Sequence, residues 1–105
     1  MPSGRLGKAA LVGGNNTTIY TTPAGAIASA TVSLCNRGEA DARVRLAVST
    51  AAVPAADDYL EYDAIVPGNG VLERTGVVCS EGEQIIVRST TSNVTARAHG
   101  FEEVA

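Results

Sequence analysis

Tryptophan is absent from this sequence, phenylalanine occurs once, and aromatic residues make up only 4%. Large rings normally supply much of a core's buried area, so this core has to be assembled from aliphatic side chains. Hydrophobic residues reach 45%, but much of that share is alanine. Alanine removes little area from water, at about 25 cal/mol per Å². A core that thin often leaves stability to be completed by a partner or by oligomerisation. Histidine is equally scarce. His99 is the only one, and a zinc site or a serine–histidine–aspartate arrangement needs it beside several specific partners. It lies between Ala98 and Gly100 in a strand pattern, where a half-exposed structural role is the simpler reading.

The two cysteines, Cys35 and Cys79, are too far apart for a CxxC motif, so redox and zinc motifs have no support. Both fall at strand ends, and a reducing compartment favours free thiols. Positive charge is short too. The net charge is −3 and the pI is about 5.0, whereas nucleic-acid binders usually show a basic patch or a pI above ~9. No apolar run approaches the ~18 residues that span a membrane. Ala9–Val12 is shorter than the roughly 7-residue apolar core of a signal peptide. The expectation is a protein made in a cytoplasm, with no nucleic acid or membrane among its partners. Asp57, Asp58, Glu61 and Asp63 form an acidic run without EF-hand spacing, read as a solvated loop and strand face. The glycine turns lack a Walker lysine. No enzyme activity, cofactor or metal is expected.

What is present is alternation. Along Ala26–Cys35, Ala28, Ala30, Val32 and Leu34 share one face, and Ile27, Ser29, Thr31, Ser33 and Cys35 share the other. Val44, Leu46 and Val48 point inward from Ala42–Thr50, with Arg43, Arg45 and Ser49 outward. Ile85 and Val87 oppose Ile86 and Arg88; Val94, Ala96 and Ala98 oppose Thr95, Arg97, His99 and Phe101. Thr17–Thr22 is rich in β-branched residues. Tyr59–Cys79 reads as a hairpin. Leu60, Tyr62 and Ala64 lie on one face of its first arm, Pro67-Gly68-Asn69-Gly70 forms its turn, and Gly76 marks a β-bulge or a sharp bend in its second arm. Glu102–Ala105 closes the chain as an acidic tail. About seven strands with turn signals roughly every 8–12 residues indicate an all-β antiparallel sandwich or barrel.

Residues 1–16 contain Gly4, Gly7, Gly13 and Gly14 and read as an extended N-terminal arm before a β-sandwich domain over 17–105. Leu6, Leu11 and Val12 have no evident place in a sheet. The arm is either a disordered tail or a device that docks on a neighbour. In the second reading Leu6, Leu11 and Val12 fill apolar recesses on an adjacent subunit, and Arg5 and Lys8 meet acidic surface.

The segments GRLG (Gly4–Gly7), NTTIYTTPAG (Asn16–Gly25), VSLCNRG (Val32–Gly38), YLEYD (Tyr59–Asp63), NGVLERTG (Asn69–Gly76) and RAHGFEE (Arg97–Glu103) together resemble small virion structural proteins of tailed bacteriophages, common among phages of cyanobacteria and other aquatic bacteria. The resemblance runs from Gly4 to Glu103. It implies a jelly-roll or immunoglobulin-like sandwich that assembles on the particle. The role is either a capsid decoration (cement) protein or a tail, neck or fibre component that can contact a host receptor. It also implies partners: the chain itself, as a homotrimer, and the major capsid protein or other virion proteins. The alanine faces Ala28/Ala30 and Ala96/Ala98 offer close approach between copies.

Overall fold

The computed structural model describes residues 3–51 and 53–104. Period-two burial shapes each sheet. Along the third strand Ala28, Ala30, Val32 and Leu34 are all buried, while Ile27 and Cys35 are exposed. Eight strands result: β1 (Ser3–Ala10), β2 (Thr17–Thr21), β3 (Ala26–Asn36), β4 (Ala42–Ser49), β5 (Tyr59–Val66), β6 (Val71–Cys79), β7 (Gln84–Ser89) and β8 (Val94–Val104). A single 3-10 turn, Ala56–Asp58, precedes β5.

The strands form two four-stranded sheets, ordered β1-β8-β3-β6 and β2-β7-β4-β5. All pairings are antiparallel, and they include β1 with β8, β2 with β7, β3 with β6 and β4 with β5. That is a long antiparallel ribbon rolled upon itself, the eight-stranded jelly roll. The core lies between the sheets, where Leu34, Leu46, Ile85, Val32, Val44, Val66 and Val87 are buried.

Several expectations change here. Tyr59–Cys79 is not a hairpin: β5 is an edge of one sheet and β6 an edge of the other. The turn between them forms as its residues demand. Asn69 has φ 60°, and the Gly70 amide donates to the Pro67 carbonyl at 2.9 Å. It carries the chain from one sheet to the other. A Cβ at Gly68 would collide with the Glu39 backbone, which explains the glycine at that crossing. The bulge at Gly76 is present, with φ 70° and a register shift opposite Ala30/Val32.

The extended arm expected over residues 1–16 is largely built into the roll. Ser3–Ala10 is strand β1, one more than the seven expected, paired to β8, and Leu11 is 2% exposed within the core. Residues 1 and 2 of that arm, residue 52 between β4 and β5, and residue 105 of the acidic tail lie outside the described residues. The alanine faces are interior: Ala28, Ala30, Ala96 and Ala98 are buried against the opposite sheet, so they are no surface for another copy. Glu102 belongs to no solvated tail either. It points inward from β8, and its carboxylate accepts a hydrogen bond from the Tyr20 hydroxyl at 2.5 Å. That contact ties the two sheets together. Burial first, then the neighbouring Glu102, pushes the Tyr20 pKa up.

Candidate interaction surfaces

The five residues expected to hold a partner separate in the fold. Arg5 and Lys8 are exposed, Leu6 is half-buried against the core, Leu11 is sealed inside, and Val12 is 57% exposed. Leu11 is therefore unavailable to a neighbour; its amide donates to the Val94 carbonyl at 2.9 Å. Arg5 and Lys8 are three residues apart, an odd step that would place them on opposite faces of a regular strand. The register shift between Arg5 and Gly7 corrects the phase, so both face outward. Gly7 lies against β2, where a Cβ would collide with the Ile19 carbonyl.

On the outer face of the first sheet, Arg5 stands opposite His99 and Lys8 opposite Arg97. This makes a cationic strip along β1 and β8. Neither of the two ion pairs found among the described residues involves it. His99 Nδ1 is buried without a hydrogen-bond partner. At the other end of the same face, Phe101 and Val78 both stand opposite Ser29, one on each side of β3. Both are exposed, as is Ile27 in the next row. Cationic strip and apolar row together give this face the mixed character of a protein-binding surface.

The acidic run disperses. Glu61 accepts from Arg74 Nη1 at 2.8 Å, Asp63 pairs with Arg45 at 2.8 Å, and Asp58 accepts from the Ala55 amide at 2.8 Å. No cluster of metal-ligating side chains occurs among the described residues. Instead, a cleft of about 450 Å³ opens between the edges β5 and β6. Val48, Asp57, Asp58, Leu60, Arg74 and Glu83 line it. The sequence pattern gave no sign of this cleft, because it forms only when two edges from different sheets face each other.

No known protein family matches this sequence, and no curated protein matches it. Among solved structures, the Anabaena sensory rhodopsin transducer is similar at 14% identity. The match covers 92% of this chain and 98% of that one, with a TM-score of 0.39. A likeness of that depth establishes neither a shared fold nor a shared role.

The cysteines end far apart. Cys35 pairs with Val71 and Cys79 with Ala28, so they stand seven positions apart along β3, roughly 23 Å at the usual strand rise. Both thiols are free, Cys35 exposed and Cys79 buried. Burial, and then the charge of Glu83, push the Cys79 thiol up to about 11. On the second sheet, Tyr59 and Tyr62 stack edge to face at 4.9 Å, and Arg45 lies 4.1 Å over the Tyr62 ring. Sequence reasoning missed this group. Strict alternation puts Tyr59 and Tyr62 on opposite faces, and only the irregular pairing of β5 with β4 brings both rings to the same side.

Proposed function

We propose that this chain is a structural subunit of a tailed-phage virion, most specifically a capsid decoration protein that binds the major capsid protein and stabilises the head. The observation that carries this reading is the unpartnered outer face of the first sheet. There the cationic strip Arg5, Lys8 and Arg97 adjoins the apolar row Phe101, Val78 and Ile27. A jelly roll with such a face has what an assembly subunit needs: rigid strands, apolar anchors and charge for orientation. The sequence resemblance points the same way. A homotrimer is the assembly expected from the resemblance alone, since the alanine faces lie inside the roll. Localisation on the particle follows from the same reading, after assembly in the bacterial host cytoplasm.

The alternative, a tail, neck or fibre component touching a host receptor, draws on the cleft between β5 and β6, which is large enough for a small ligand. Co-sedimentation with particles lacking this chain separates the two. Decoration predicts binding to empty heads that Phe101→Asp and Arg97→Glu weaken, with light scattering reporting three copies per free assembly. Binding to isolated tails and none to heads would favour the alternative.

A further inference from the structure

The second sheet carries a cationic group that the proposed capsid contact does not use. Arg45 on β4 stands directly opposite Arg88 on β7, and Arg43 lies two residues along on the same face. Neighbours so placed have Cβ atoms roughly 5–7 Å apart. Like charges directly opposite destabilise a sheet, and the chain has only eight lysines and arginines in all. Three of them converge here.

Asp63 offsets one. Arg45 donates to its carboxylate through Nε at 2.8 Å and Nη2 at 3.4 Å. The positive φ of 54° at Asp63 accompanies the register shift in the β4–β5 pairing that presents this carboxylate to the arginines. The hydrogen bond from Arg45 holds the Asp63 carboxyl below its usual range. The charges of Arg45, Arg43 and Arg88 lower it further, against the opposing effect of burial. Arg43 reaches only the Asp63 carbonyl, at a long 3.5 Å. Arg88 makes no side-chain hydrogen bond or ion pair among the described residues. A depression of about 100 Å³ lies between Arg43, Arg45, Arg88 and Asp63, with Gly14 and Thr90 at its edge. Three guanidinium groups against one carboxylate leave it electropositive. Beside it are the exposed Tyr62 and Ile65.

We propose that this face docks an acidic segment of a partner protein. One carboxylate of that segment sits in the depression between Arg43 and Arg88, and an apolar neighbour rests on Tyr62 and Ile65. Guanidinium geometry suits bidentate capture of a carboxylate. Arginine and tyrosine side by side are the residue types that dominate protein–protein contacts. The depression admits one anionic group, whereas a nucleic-acid strand needs a basic groove that tracks its backbone, and the net charge of −3 opposes such a strand. This inference stands whether or not the chain belongs to a virion.

The test uses the purified full chain and three probes: a synthetic Asp/Glu-rich peptide carrying one leucine, inorganic phosphate, and a single-stranded DNA oligonucleotide. The readouts are fluorescence polarisation and the NMR signals of the arginine side chains. The peptide should shift the Arg43 and Arg88 signals. Arg88→Met and Arg43→Met should each weaken it by at least about tenfold, with an unchanged circular-dichroism spectrum. Arg37→Met, in the loop after β3 and away from the depression, should leave peptide affinity unchanged. Equal peptide affinity in the wild type and in both depression variants would overturn the proposal. So would phosphate alone matching the peptide, or the oligonucleotide binding more tightly than either.

Discussion

Replacing Tyr20 with phenylalanine deletes one oxygen from the seam between the sheets. Tyr20 sits on β2 and Glu102 on β8, each 8% exposed, and the hydroxyl donates to the carboxylate at 2.5 Å. A hydrogen bond to a charged group contributes ~1.5–3 kcal/mol. Removing the donor also leaves Glu102 without its one observed partner in a nearly closed site, so the loss should fall at the upper end, about 2–3 kcal/mol. For a domain of this size each kcal/mol shifts Tm by roughly 4–8 °C, so Tyr20→Phe should melt about 10–20 °C lower. Urea unfolding followed by circular dichroism gives the free energies. The double-mutant cycle with Glu102→Ala, which removes the acceptor, isolates the pair. Glu102→Gln alone should be milder, because the amide oxygen still accepts from the hydroxyl and carries no charge to desolvate. A coupling energy indistinguishable from zero would refute the claim that this contact joins the sheets.

High pH should unfold the protein in a defined window. The Tyr20 and Cys79 pKa values are raised in the folded state, so the unfolded chain releases these protons first. Stability is then intact below pH ~9 and falls as pH rises toward about 11 through Cys79, with Tyr20 extending the loss further. Cys79→Ala should flatten the first part of that decline in pH-dependent urea melts. In thiol titration, Cys35 should react in the native protein and Cys79 only after unfolding. Gly7→Ala should detach β1, because its Cβ meets the Ile19 carbonyl; hydrogen exchange should then accelerate across β1 while β4 and β7 stay protected. Gly76→Ala should cost only about 1–2 kcal/mol, from positive φ alone, since nothing lies within 4 Å of the added Cβ. A larger loss in denaturant melts would mean that the bulge is held by more than backbone conformation.

Much of the fold was legible wherever alternation was unbroken. The inward faces of β3 and β8, from Ala28 to Leu34 and from Val94 to Ala98, read directly from period two. So did the outward direction of Arg43 and Arg45. Strand order was not legible, because it depends on which edges meet after the ribbon rolls. Tyr59–Cys79 therefore read as a hairpin when it joins two sheets. β5 misled for a local reason. The sequence puts Ala64 with Leu60 and Tyr62, but positive φ at Asp63 and two register shifts against β4 turn Ala64 and Val66 inward and leave Tyr62 outside. No glycine marks that bulge. β1 was hidden by Gly4 and Gly7, which lower strand propensity. Its pairing depends on β8, ninety residues away in sequence on average. The arginine group needed all of this at once: three outward directions, one strand adjacency and one unsignalled bulge.

The proposed role as a virion subunit is most directly tested by measuring how much of this chain purified particles contain. Quantitative mass spectrometry of gradient-purified particles, normalised to the major capsid protein, gives the ratio. A decoration protein predicts a copy number comparable with that of the shell protein, retained through the gradient and reduced by Phe101→Asp. Absence of the chain from purified particles, with the protein free in the lysate, would contradict the account.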